Sequence, residues 1–171
     1  MNRTPRVPFV RPATPPLDAV AARLRPSYEQ GILTNGPLVR ELEEAVAARL
    51  GVRHVVAMSS CTAGLMLVLR ALVPSGRVVL PSFTFSATAH AAAWCGLDLE
   101  FAECDPATFQ VDPTDVARRI DGAAALMATH VFGAPCDVDA LGGLARDAGV
   151  PLVLDAAHAL GALHRGRPVG C

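Results

Sequence analysis

Apolar residues in this chain fall into two rhythms. Leu17, Val20, Ala21 and Leu24 recur three and four apart and predict a helix over residues 17–28. Leu38, Leu42, Val46 and Leu50 form the next stripe, in a helix that opens with Pro37 and stops at Gly51, after a loop over residues 31–36. From there short apolar runs alternate with helical stretches. Residues 54–58, 78–80, 97–102, 124–128 and 152–154 read as five strands, and residues 62–72, 86–94, 113–120 and 137–148 as the helices between them. The punctuation agrees: Pro74 and Gly76 close one helix, Pro81 stops a strand, Asp112-Pro113 opens a helix, and Arg165-Gly166 predicts a short hairpin over residues 163–169. Residues 1–16 carry five prolines and are expected to be extended, with residues 17–171 forming the folded part. Strands of this kind alternating with helices argue an α/β fold with a largely parallel, buried sheet.

Composition narrows the function classes. At 171 residues and 51% hydrophobic, the chain can bury a core. A net charge of −1, evenly spread, argues against nucleic acid and against an anionic membrane surface. Every long apolar run is broken by Gly, Pro, Ser or charge, so no membrane-spanning helix is expected, and the start lacks the apolar block of a signal peptide. The five cysteines, Cys61, Cys95, Cys104, Cys136 and Cys171, show no C-x-x-C spacing. They read as reduced thiols of a cytoplasmic protein, with neither a disulfide framework nor a metal site. All fifteen Lys+Arg residues are arginine; the sequence holds no lysine.

In parallel sheets, ligands bind outside the carboxyl ends of the strands. Ser60-Cys61-Thr62 follows the first predicted strand and starts a helix, a turn whose free amides and helix dipole suit a phosphate. Such a turn is also an ordinary N-cap. Phe83 and Phe85 follow the second strand, either as an aromatic face or as core; His130 follows the fourth and reads as structural, like His54 and His90. Asp155 and His158 follow the fifth, Asp155 as a ligand carboxylate or a turn cap and His158 as a ligand or a buried histidine. A phosphate cradle, an aromatic face and a carboxylate at one sheet edge suit a phosphorylated, flat, cationic heterocycle. Pyridoxal 5'-phosphate (PLP) fits that description, because a carboxylate beside the pyridine nitrogen keeps the ring an electron sink.

Several stretches carry a more specific resemblance. They are residues 7–12 (Val-Pro-Phe-Val-Arg-Pro), 33–39 (Leu-Thr-Asn-Gly-Pro-Leu-Val), 59–63 (Ser-Ser-Cys-Thr-Ala), 81–88 (Pro-Ser-Phe-Thr-Phe-Ser-Ala-Thr), 130–133 (His-Val-Phe-Gly) and 155–162 (Asp-Ala-Ala-His-Ala-Leu-Gly-Ala). In this order and spacing the chain resembles the first half of the DegT/DnrJ/EryC1/StrS family of PLP-dependent sugar aminotransferases. The resemblance implies the aspartate-aminotransferase-like fold, type I among PLP enzymes, here as a truncated large domain, and a homodimer in the full-length form. It implies transfer of an amino group from a donor such as glutamate to a keto sugar on a nucleotide. Position by position it implies that Ser60, Cys61 and Thr62 hold the cofactor phosphate, that Phe85 stacks on the ring, that Asp155 pairs with the pyridine nitrogen, and that His158 lies near the ring hydroxyl. Cys61 departs from the Gly or Ala that most members have.

A second departure is larger. Family members are much longer, and the lysine that binds the cofactor covalently lies beyond the stretch matching residues 161–170. No catalytic residue is therefore expected within this chain. A fragment, half of an enzyme completed by a partner chain, and a non-catalytic remnant all remain open, as does a dehydratase of the same family working with the aminated cofactor. The resemblance also implies that the first strand sits at the far side of the sheet, beside strands from later sequence. Residues 54–58 are then expected to lack neighbours, leaving the chain poorly folded or self-associating and the phosphate loop misplaced relative to Asp155.

Overall fold

The computed structural model describes residues 12–169. Most of the N-terminal segment expected to be extended, and Cys171, lie outside them; residues 12–16 carry no helix or strand. The described residues group into two compact units that divide between Leu42 and Glu43. The first holds α1 (Leu17–Glu29) and the start of α2 (Pro37–Leu50). Pro37 is the first helical residue of α2, where its missing N–H costs nothing.

The second unit is a parallel sheet between two layers of helices. Strands β1 (Arg77–Pro81), β2 (Asp98–Ala102), β3 (Ala125–Thr129) and β4 (Leu152–Asp155) lie in the order β2-β1-β3-β4. All three pairings are parallel, with Leu80 opposite Phe101, Val79 opposite Leu126, and Met127 opposite Val153. Alternation along the strands sorts the core into two faces. Val78, Leu80, Ala125, Met127 and Val153 pack with Leu65, Leu69 and Val73 of the α3 region (Cys61–Leu72) and with Ala91 and Ala92 of α4 (Ser86–Trp94). Val79, Ala102, Leu126 and Ala128 pack with Val116 of α5 (Pro113–Arg119) and with Leu141 and Ala145 of α6 (Val138–Asp147). Four strands expected to form one contiguous sheet do so. Burial on both faces is why the central strands β1 and β3 read as apolar runs, while the edge strand β2 carries Asp98, Glu100 and an exposed Phe101.

The amino ends of the strands are closed by charge. Arg77 pairs with Glu100 and donates to the carbonyls of Arg119 (2.8 Å) and Asp121 (2.6 Å). Beside it, Gly76 has φ 113°, and a Cβ there would lie 2.8 Å from Ala124 Cβ, so no larger residue fits that turn. The predicted hairpin is present as β5 (Leu163–His164) and β6 (Arg167–Pro168). Its two turn residues, Arg165 (φ 49°) and Gly166 (φ 77°), both take the positive φ of a type I′ turn. Arg165 (2.9 Å) and Arg167 (3.0 Å) fasten the hairpin to Asp139 of α6.

One expected element is corrected. Residues 54–58 are not a strand: the segment pairs with none of the described strands. Val56 is 74% exposed and Met58 42%. The amide of Ala57 ties the segment to α2 by donating to Glu43 Oε1 at 2.8 Å. A strand is defined by its ladder, so a strand-like sequence without a neighbouring strand stays an extended segment. The expectation that this segment stands without neighbours agrees with that geometry.

Candidate functional site

The chain runs from β1 outward to β2 and then returns to the other side of β1 for β3 and β4. That reversal places a topological switch point between β1 and β3, at whose carboxyl end the loops part and leave a crevice. A cavity of about 410 Å³ lies there, within the size range of small-molecule sites. It is lined by residues that follow β1 (Phe83, Phe85), β3 (His130, Phe132) and β4 (Asp155, His158), and by the start of α3.

The start of α3 is built by Ser60. Its backbone is extended, its Oγ accepts from the amide of Ala63 at 3.1 Å, and its carbonyl accepts from Gly64 at 3.1 Å. Two of the helix's first donors are thus used, leaving the amides of Cys61 and Thr62 without helical partners. Both residues line the cavity. Ser60 does not; in this structure its side chain is the cap. The loop is not displaced from Asp155, contrary to expectation: Cys61 Sγ lies 3.6 Å from Asp155 Oδ1. The reason is helical packing. Leu65 and Leu69 are buried against the sheet and α4, and they fix the helix start without any ladder in residues 54–58.

Asp155 ends β4 and is 4% exposed. Its Oδ2 accepts from Thr88 Oγ1 at 2.7 Å, and its Oδ1 accepts from the amide of Ala157 at 3.2 Å and from the Cys61 thiol. It therefore caps the following turn and also lines the cavity. Burial raises the Cys61 thiol above its ordinary value, and the charge of Asp155 and the hydrogen bond to it act in the same direction. The thiol stays protonated near neutrality and serves Asp155 as a weak donor.

His130 is 1% exposed and structural, as expected. Its amide donates to the Asp155 carbonyl at 3.1 Å, and its Nδ1 accepts from the amide of Cys136 at 3.2 Å. Burial lowers its basicity, with Asp155 opposing and His164 adding to the shift, so the ring is neutral at pH 7 and carries its proton on Nε2. His158 is exposed at the cavity rather than buried. The peptide bearing it is crowded by Gly133 (φ 83°), where a Cβ would meet the His158 carbonyl oxygen at 2.9 Å; glycine is required there.

Neither Phe83 (44% exposed) nor Phe85 (74%) is core. Phe85 lines the cavity with its ring largely uncovered. Phe83 packs against Phe109 at 5.4 Å and edge-on against Phe132 at 6.3 Å between centroids. Phe109 (φ 61°) and Phe132 (φ 53°), the two rings packed on Phe83, hold left-handed backbones that aromatic residues rarely adopt; of the two, Phe132 lines the cavity.

Sequence reasoning missed three hydroxyls. Thr84, Thr88 and Thr129 join in a chain that ends on Asp155. The available signal was position: Thr84 and Thr88 are four apart at the entry to a helix, and Thr129 closes the strand before His130.

The profile of the DegT/DnrJ/EryC1/StrS aminotransferase family matches residues 18–171. The chain belongs to this family. Within it, the chain is 31% identical over 165 residues to the dTDP-4-amino-4,6-dideoxy-D-glucose transaminase of Escherichia coli, an alignment covering 95% of this chain and 44% of that enzyme. Among solved structures it is similar to AtS13 from Actinomadura melliaura (34% identity, TM-score 0.90, 99% of this chain and 48% of the other). It is also similar to DesI crystallised with its TDP-sugar product (44% identity, TM-score 0.85, 90% and 40%). The fold is the type I fold of these PLP-dependent aminotransferases. The chain spans under half the length of the relatives it matches. Among the described residues, no helix is long and apolar enough to cross a membrane.

Proposed function

We propose that these residues supply the cofactor-holding part of a PLP-dependent aminotransferase acting on nucleotide-linked keto sugars, with an amino acid such as glutamate as donor. The observation that carries this reading is the pairing, in one cavity, of a helix start with two free amides and a buried carboxylate. The donor set fits PLP. The amides of Cys61 and Thr62 and the Thr62 hydroxyl hold the phosphate, at the positive end of the α3 dipole. No arginine lines the cavity among the described residues, so this helix start carries the charge compensation. Phe85 offers its exposed face to the ring. Asp155 offers Oδ1, which keeps the Ala157 amide and whose second partner, the Cys61 thiol, is weak enough to be displaced by a protonated ring nitrogen. His158 stands at the cavity wall as a donor for the ring hydroxyl.

When bound, PLP supplies the electron sink that lets an amino group pass between an amino acid and a keto sugar. Asp155 keeps the ring nitrogen protonated by charge, and Thr88 and Ala157 keep Asp155 in place. None of the 171 residues is lysine, so the covalent anchor and the base that moves the proton come from outside them. We place the working enzyme in the cytoplasm as a homodimer.

Titrating PLP against protein fluorescence and absorbance tests the reading. Asp155→Ala is expected to weaken binding at least about tenfold, as loss of an ionic hydrogen bond does, and to abolish most turnover in an enzyme completed with its lysine. Thr62→Val is expected to weaken binding severalfold while leaving turnover at saturating cofactor nearly unchanged. Equal affinity in wild type and both variants would remove the cavity as the PLP site.

A further inference from the structure

Thr88 Oγ1 lies 2.7 Å from Asp155 Oδ2, Thr84 Oγ1 lies 2.7 Å from Thr88 Oγ1, and Thr129 Oγ1 lies 2.9 Å from Thr84 Oγ1. Thr88 is fully buried. Distances alone leave the donors open, but stoichiometry closes them. A hydroxyl has one proton, and a carboxylate only accepts. Thr88 must spend its proton on Asp155. The bond between Thr84 and Thr88 can then be made only by the proton of Thr84. The bond between Thr129 and Thr84 can be made only by the proton of Thr129. The order Thr129 to Thr84 to Thr88 to Asp155 is therefore fixed from one end.

The three hydroxyls come from three elements: the end of β3, the loop after β1, and the first turn of α4. Together they span the switch point and converge on the carboxylate that ends β4. Thr88 occupies Oδ2 from within the core, while Oδ1 accepts from the Ala157 amide and from the Cys61 thiol. Of these three donors the thiol is the weak, displaceable one, so the side of Oδ1 facing Cys61 is the open position. Thr84 and Thr129 also line the cavity, so the outer end of the chain lies at the cavity wall.

We propose that Thr88 is a positioning residue for Asp155, and that the one-way chain from Thr129 through Thr84 fixes which carboxylate oxygen meets the ring nitrogen. This rests on the PLP reading above. Chains of hydrogen bonds strengthen one another, so the contribution falls with distance from the carboxylate: Thr88 most, then Thr84, then Thr129.

Two readouts on the full chain separate this proposal from the reading beneath it. The first needs no cofactor: the carbon-13 chemical shift of the Asp155 carboxyl at neutral pH. Thr88→Val is expected to move it, and Thr88→Ser, which keeps the hydroxyl, to restore it. The second is PLP affinity. Thr88→Val is expected to cost about tenfold, as when one hydrogen bond to a charged group is lost, with Thr88→Ser within about twofold of wild type. Thr84→Val should cost less than Thr88→Val, and Thr129→Val least. If Thr88→Val fails to fold by circular dichroism, Thr84→Val still decides. There Thr88 keeps its bond to Asp155 but loses its own donor, and both the carboxyl shift and the affinity should move by a smaller step. An Asp155 carboxyl that ignores Thr88→Val and Thr84→Val, equal losses for all three threonines, or no rescue by serine would overturn the chain. Absence of PLP binding in wild type, with the carbon-13 response intact, would overturn the cofactor reading and leave the hydroxyl chain standing.

Discussion

The two walls of the cavity are held in different ways. Asp155 ends a strand paired to β3, with Thr88 and Ala157 on its oxygens; its place is fixed by sheet, helix and hydroxyls together. Cys61 and Thr62 begin a helix whose preceding segment, residues 54–58, has no ladder. That wall is held from behind, by Leu65 and Leu69 against α4 and the sheet. Helix packing, without a strand ladder before it, brings a loop to within 3.6 Å of a carboxylate 94 residues away. The difference teaches that a packed helix on its C-terminal side can position a binding loop even when the segment on its N-terminal side is unpaired.

The strongest way to break this comparison is to hollow out the helix. Leu69 is fully buried, and Leu69→Ala is expected to destabilise the second unit by roughly 2–5 kcal/mol. In urea at concentrations that leave the sheet intact, the variant should release the exposed Cys61 from Asp155 and speed its alkylation while the buried Cys136 stays protected. Co-ordinate alkylation of both would show that the helix start has no independent anchor.

A smaller effect sharpens the link between the walls. Burial and Asp155 both raise the Cys61 thiol, so its alkylation should be slower than a free cysteine's at every pH below 9.0, with a midpoint above that ordinary value. Asp155→Asn removes the negative neighbour and leaves burial. The profile should then move to lower pH, with alkylation severalfold faster at pH 8, while remaining above that of a free cysteine. Cys136, pushed up to about 11 by burial, should stay unreacted throughout and serves as the internal reference. Peptide mapping by mass spectrometry reads both sites; an unmoved Cys61 profile in Asp155→Asn would separate the two walls.

The smallest effect belongs to the unpaired segment. Val56 is 74% exposed, and Val56→Ala should change the stability measured by denaturation by no more than about 0.5 kcal/mol. A loss comparable to that of Leu69→Ala would mean that residues 54–58 are packed after all.

These contrasts also mark where the sequence was legible. Four strands and the six α-helices of the described residues could be read because their periodicity and end signals reside in their own residues. Burial did not decide α1 and α2, whose apolar residues are exposed or only partly buried. Asp155 and Phe85 line the cavity because parallel strands deliver their carboxyl ends to one edge, whereas Thr62 reaches it through the packing of α3, which the sequence did not reveal. Residues 54–58 misled because strand identity belongs to a pair, and a β-rich sequence does not name its partner. Thr88 was invisible as a partner of Asp155 because 67 residues separate them, and Thr129 lies 45 from Thr84. Nor could the left-handed backbones of Phe109 and Phe132 be anticipated, since phenylalanine disfavours that conformation and only tertiary packing imposes it. Cys61 drew notice as a departure from the family pattern, yet its bond to Asp155 emerged only when α3 was seated.

The most direct test is amide hydrogen exchange of the chain with and without PLP. Without PLP, Val55 and Val56 should exchange freely, Leu69 and Val153 should be protected, and Cys61 and Thr62 should be open because no carbonyl takes their protons. Added PLP should protect Cys61 and Thr62 and leave Val55 and Val56 as they were. Amides of Cys61 and Thr62 that exchange equally fast at every PLP concentration, or protection that appears elsewhere in the chain, would contradict the claim that this helix start holds the phosphate.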